Sequence, residues 1–234
     1  MNGTPTNVPY RLSVFNKIKQ VGAGYILSHF ITCFLTISAA FIMHFQCNTF
    51  ESIVESKGSQ QEKLKELQRT FNEFKTNATP EVIINRWIKL FITCNYKMNG
   101  NPRYNNFDCA SALRTFYNSF GANLSNDNVE ALDNRVKKLY GIGQISFRKS
   151  YRTVEPGDFI IFNPISDGSW HCAVIFKKDN EYIQYLDVNI LVDGMGVNAI
   201  RWSIKKGSTL PHKIKKIVSM SYSLWLGNLL KINT

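Results

Sequence analysis

Apolar positions fall into three textures along the chain. From Val21 to Phe45 the run "VGAGYILSHFITCFLTISAAFIMHF" is uncharged, and no Asp, Glu, Lys or Arg occurs between Lys19 and Glu51. As a helix it is long enough to cross a bilayer core of ~30 Å. The second texture is helical spacing. Leu64, Leu67, Phe71 and Phe74 recur at intervals of three and four, which predicts a short amphipathic helix. Thr79-Pro80-Glu81 is a strong helix start, followed by the apolar face of "EVIINRWIKLFITC". Ala112, Leu113, Phe116, Tyr117 and Phe120 mark one buried face of another helix, which Gly121 stops. Ser125 or Asn126 caps a further helix, "NVEALDNRVKKLYG". Beyond it come short β-branched and aromatic runs separated by Gly, Asp, Asn and Pro: "GDFIIFNP", "HCAVIFKK", "EYIQYLDVN", "NAIRWSI" and "KIKKIVSMSY". They read as strands of a mostly antiparallel sheet. Helices first and strands after predict an α+β domain.

These textures divide the chain into a tail (1–20), a transmembrane anchor (21–46), a polar helical connector (47–78) and a folded domain (79–234). The tail carries Arg11, Lys17 and Lys19 without an acid, whereas both signs alternate after Glu51. That asymmetry predicts a cytoplasmic N-terminus and a domain in the periplasm or cell exterior. A cleaved signal peptide would use Ser38-Ala39-Ala40, but the apolar run continues through Phe41, Ile42 and Met43, which suits an uncleaved anchor better. The segment 51–78 spaces the domain from the membrane, docks on a protein partner, or packs on its own domain.

Charge changes the picture more than composition does. A hydrophobic content of 44% and a charged content of 19% are those of a folded protein, but the net charge is +11. An anionic neighbour is implied. Nucleic acid is not the expected one: the basic stretch "SIKKGSTLPHKIKK" lies in strand and turn, without a recognition helix or stacking motif. Five scattered cysteines (Cys33, Cys47, Cys94, Cys109 and Cys172) have neither metal-ligand spacing nor the pairing of a disulfide framework. No metal or cofactor is expected.

One cysteine has a chemically useful place. In "NNFDCASALRTFYNSFG", Asp108 is a good N-cap, so Cys109 falls in the first helical turn among unpaired backbone N–H groups. The partial positive charge there favours thiolate over thiol. A cysteine hydrolase also needs an imidazole and a polar group to orient it. Of the four histidines, His29 and His44 lie in the apolar segment and His212 in a basic turn. His171, opening the strand "HCAVIF", is the remaining candidate.

In that order the motifs resemble those of NlpC-like cell-wall cysteine peptidases, members of the papain-like superfamily. "FDCASAL" is similar to their Asp-Cys-Ser-Gly motif, "PGDFIIF" to their Pro-Gly-Asp strand start, and "HCAVIF" to their His-Val-Gly-Ile-Tyr strand. Tyr96 with Gly100 resembles their upstream tyrosine–glycine element. The resemblance spans about residues 80–205. Ala110-Ser111 stands where the family has Ser-Gly, and Cys172 where it has a small aliphatic residue. The resemblance implies a nucleophile helix bearing Cys109 packed on a sheet bearing His171, with Tyr96 as an oxyanion or positioning group. It also implies hydrolysis of peptide or amide bonds in peptidoglycan stems. The same residues are compatible with an inactive membrane-anchored scaffold or with a papain-like acyltransferase.

The group that orients His171 should come from "EYIQYLDVN". If Asp179, Asn180 and Glu181 form a three-residue turn, Lys178 pairs with Tyr182, Ala173 opposes Asp187 and His171 opposes Asn189. Asp187 is therefore the expected third residue, with Asn189 the alternative.

The topology generates a direct prediction. A reporter active only outside the cytoplasm, fused after residue 78, is expected to be active; activity from a cytoplasmic reporter at that position would invert the orientation.

Overall fold

The structure, a computed structural model, describes residues 59–122, 124, 128–202 and 209–226. The expected tail and membrane anchor, His29 and His44 included, lie outside these residues. So do the proposed caps Ser125 and Asn126.

Among the described residues four α-helices precede the sheet: α1 (Gln60–Asn77), α2 (Pro80–Phe91), α3 (Cys109–Asn118) and α4 (Val129–Gly141). Each starts on a side chain that satisfies an orphan N–H of the first turn. Ser59 and Thr79 cap α1 and α2, and Pro80 opens α2. Asn128 caps α4, accepting a hydrogen bond from the Ala131 N–H. Between α2 and α3 the two-residue strands β1 (Asn95–Tyr96) and β2 (Asn106–Phe107) pair in parallel.

The second half is a five-stranded antiparallel sheet, so the α+β class expected from the sequence is observed. Its strands are β3 (Phe159–Phe162), β4 (Cys172–Asp179), β5 (Tyr182–Asn189), β6 (Gly194–Arg201) and β7 (Ile214–Val218), in spatial order β6-β5-β4-β3-β7. Alternate side chains separate two cores. Phe159, Ile161, Cys172, Val174, Leu186 and Val188 face the helices. Ile160, Phe162, Ala173, Ile175, Ile183 and Ile217 pack on the other side against Tyr151, Val154 and Trp202.

Two sequence expectations need correction. The segment expected as a connector carries α1, which is part of the folded unit: Leu67 is 0% and Phe74 3% exposed. Phe71 and Phe74 pack on Trp225 of the short C-terminal helix α5 (Tyr222–Leu226), and Phe74 also meets Tyr117 of α3. The apolar stripe that could have docked a partner is thus already occupied, and the packed unit begins before residue 79.

The β4–β5 turn also differs. Asp179 pairs with Tyr182, leaving a two-residue Asn180-Glu181 turn with Asn180 at φ +54°. Asparagine tolerates the left-handed region this turn demands, whereas a three-residue turn would put that conformation on its last residue, Glu181, which tolerates it less well. Lys178 therefore faces Ile183, not Tyr182. A bulge at Phe176 then absorbs one residue, so Val174 faces Leu186 and Asp187 returns to the expected level.

Pro156-Gly157-Asp158 is a structural junction. Gly157 has φ +88°, and a Cβ there would press on the Phe74 ring. Its carbonyl accepts from the Tyr117 hydroxyl (2.8 Å). Asp158 is fully buried and accepts from Arg148 Nε (2.9 Å) and from the backbone N–H of Glu155 and Met220. Because α1 caps this junction, Phe74→Ala is expected to cost about 3–5 kcal/mol. Urea unfolding of the full chain followed by tryptophan fluorescence reads this directly; a change below about 1 kcal/mol would place α1 outside the cooperative unit.

Candidate active site

Cys109 owes its position to a capping box. Asp108 Oδ1 accepts from the Ser111 backbone N–H (2.8 Å), while Ser111 Oγ accepts from the Asp108 N–H (2.9 Å). Ser111 thus completes the cap. Asp108 Oδ2 also accepts from the Asn99 N–H (3.0 Å), joining the helix start to the loop after Tyr96. The first-turn N–H groups beside Cys109 have no intrahelical partner.

His171 sits one residue ahead of β4, its carbonyl accepting from the Phe162 N–H (3.0 Å). Its side chain keeps 31% exposure. The Phe162 ring lies 5.3 Å from the imidazole, centroid to centroid, and limits its movement. Nε2 is 2.7 Å from Asp187 Oδ2. With Nε2 so engaged, Nδ1 is the nitrogen left to bond the Cys109 thiol. The structure therefore brings Cys109, His171 and Asp187 together: Asp187 bonds one ring nitrogen, and the other side of the imidazole interacts with the thiol.

Asp187 is buried and is itself held in place. Asn189 Nδ2 (2.9 Å) and Asn198 Nδ2 (3.0 Å) both donate to its Oδ1. A Cβ at Gly196, directly across from Asp187 on β6, would overlap that oxygen. Asn189, the alternative third residue, thus bonds Asp187 and not His171. Asn198 and Gly196 escaped the sequence reading because they lie on a strand whose pairing partner was unknown. The Tyr96 N–H donates to Asp193 Oδ1 (3.2 Å), and its hydroxyl meets Met98 Sδ at 4.0 Å. Burial, then the charges of Cys109 and Asp108, push the phenol pKa up. Gly100 permits the preceding loop, since a Cβ there would collide with the backbone of Asn106.

The electrostatics favour an ion pair. The Cys109 thiol is brought down to about 5, first by a hydrogen bond from the Cys172 thiol, against burial, and then by His171. Burial would lower His171, but its hydrogen bonds to Asp187 and Cys109 together raise it to about 10. Cys172 is pushed well up by the same bond to Cys109 and by burial, and its Sγ lies 3.3 Å from the Cys109 carbonyl oxygen. Cys172 is therefore the neutral donor of the pair and Cys109 the anion. Among the described residues no cluster of His, Cys, Asp and Glu could hold a metal ion. Among them, too, no helix is long and apolar enough to cross a membrane.

Compared with known protein-family models and with curated proteins, the chain finds no match.

Between about pH 5 and 10 both members of the pair are charged. Alkylation of Cys109 by iodoacetamide should hold a plateau across that range and fall as pH drops through about 5, where the thiolate is protonated. His171→Ala and Cys172→Ala each remove a donor, so the acid limb should move up toward the ordinary thiol range of ~8.5. A wild-type limb already near that range would contradict the ion pair.

Proposed function

We propose that the protein is a papain-like cysteine hydrolase that cleaves peptide or amide bonds, with peptidoglycan stem peptides as the substrate class. The observation that carries the reading is the bond between His171 Nε2 and Asp187 Oδ2, which leaves the other ring nitrogen available to Cys109. Nucleophile, proton carrier and orienting carboxylate then form a single file, as acyl transfer by a thiol requires.

In this reading the Cys109 thiolate attacks the scissile carbonyl carbon. The oxyanion that forms is met by first-turn N–H groups of α3, with the Tyr96 hydroxyl as a further donor. Collapse expels the amine, which takes its proton from His171 and leaves a thioester on Cys109. His171, now neutral, draws a proton from water; hydroxide attack on the thioester frees the carboxylic acid and restores the thiolate and imidazolium. Asp187 stays ionised throughout and fixes the ring. The sequence resemblance, the basic charge and the apolar N-terminal run support an acidic wall polymer as substrate.

Cys109→Ala is expected to abolish hydrolysis of muropeptides, read by mass spectrometry of the products, with the fold retained. Asp187→Ala should lower kcat by about tenfold or more but less than Cys109→Ala, because orientation is lost and the nucleophile kept. Wild-type turnover in Cys109→Ala would end the hydrolase reading.

A further inference from the structure

A group of charges outside the catalytic file has no part in the mechanism above. Asp133 of α4 is fully buried, yet three ammonium groups converge on it: Lys137 (3.0 Å), Lys215 (3.2 Å) and Lys216 (2.5 Å). One carboxylate faces three cations, an excess of two positive charges. Lys137 and Lys215 share the same oxygen, Oδ2, so their nitrogens lie within roughly 6 Å of each other, a repulsive separation for like charges. Their side chains keep 53% and 26% of their exposure, so the excess charge is open to solvent.

The backbone is distorted in forming this group. Adjacent residues of a regular strand point to opposite faces. Across β3 and β7, Ile161 pairs with Lys216 and Phe162 with Ile214, so Lys215 is an extra, bulged residue. The bulge lets two consecutive lysines reach the same carboxylate on the helix side of the sheet. Bulges recur beside active sites because they re-aim side chains in this way.

The lysines also sit at a usable distance from Cys109. Lys216, Ile161 and Cys172 form one row across the sheet. Two strand spacings, about 10 Å, therefore separate Lys216 from Cys172, the neighbour of the nucleophile. Trp170 bridges the interval: Lys215 Nζ lies 4.1 Å from its ring centroid, and its carbonyl oxygen is 3.9 Å from Cys109 Sγ. An extended peptide covers that distance in about three residues.

We infer that Lys137 and Lys215, braced by Asp133 and Lys216, form a subsite for a substrate carboxylate placed about three residues from the bond that Cys109 attacks. The inference rests on the hydrolase reading for the word substrate, and on the lysine geometry alone for carboxylate binding. The bound carboxylate bridges the two exposed ammonium groups and relieves their repulsion, while Trp170 lines the path to the thiolate.

Binding can be read without turnover. The full-length Cys109→Ala chain, in nonionic micelles, is titrated calorimetrically with acetyl-triglutamate amide and with acetyl-triglutamine amide. The acidic peptide should bind about tenfold more tightly than the neutral one. Lys137→Gln and Lys215→Gln should each weaken it by about threefold, the value of a partly exposed ion pair, and leave the neutral peptide unchanged. Lys215→Arg keeps the charge and should bind as the parent does; if it binds as weakly as Lys215→Gln, packing and not charge is responsible and the inference fails. Equal affinity for the two peptides also overturns it. In the wild-type chain, triglutamate should slow iodoacetamide alkylation of Cys109, and binding without protection would place the carboxylate site away from the nucleophile and overturn the subsite. A Cys109 that does not alkylate even without peptide is a separate outcome: it removes the hydrolase reading while the titration still decides carboxylate binding.

Discussion

The register between β4 and β5 is the constraint on which the site depends. Asp187 lies on β5 and His171 directly precedes β4, and side-chain period two makes their meeting an all-or-none matter. A two-residue turn at Asn180-Glu181 sets the pairing one residue away from what the site needs. The bulge at Phe176 removes the difference, and Asp187 arrives 2.7 Å from the imidazole. β6 then locks the carboxylate, through Asn198 from one side and the bare Cα of Gly196 from the other. Turn, bulge and neighbouring strand act together, so a change at any of them is felt at His171.

The proposed nucleophile comes from the other layer. The Asp108–Ser111 box fixes where α3 begins, and Phe116 and Tyr117 seat the helix on the sheet. Tyr117 also ties α3 to the Gly157 turn that starts β3. Phe74 of α1 closes the same junction, which links a segment far upstream to the alignment of Cys109 with His171. The charges of the resulting site are mutually supporting. A thiolate stabilised by the Cys172 thiol and an imidazolium stabilised by Asp187 each favour the other's ionisation.

The α+β class, the helix faces and the place of Cys109 were legible because they are local: spacing, a cap and a stop suffice. Asp187 was reached through a turn that does not form, and the agreement is owed to a bulge that local sequence does not announce. Phe176 is an ordinary strand residue, and nothing in "HCAVIFKK" marks it as the one left unpaired. The packing of α1 was legible only as one of three options, since its stripe of Leu64, Leu67, Phe71 and Phe74 fits an internal core as well as an external partner. Asn198, Gly196 and the Lys215 bulge depend on which strands are neighbours, a property of topology. Cys172 was visible as a substitution, but its thiol became a donor to Cys109 only once the start of β4 was seen beside the start of α3.

The central claim is that the Cys109 thiolate forms a covalent bond with an acyl group. The most direct measurement is intact mass spectrometry of the full chain, quenched in acid within the first turnover after mixing with muropeptides. The account predicts an adduct on Cys109 with the mass of the acyl fragment, released by hydroxylamine as a thioester is. Product formation with no adduct on Cys109, or an adduct on Cys172 instead, would contradict it.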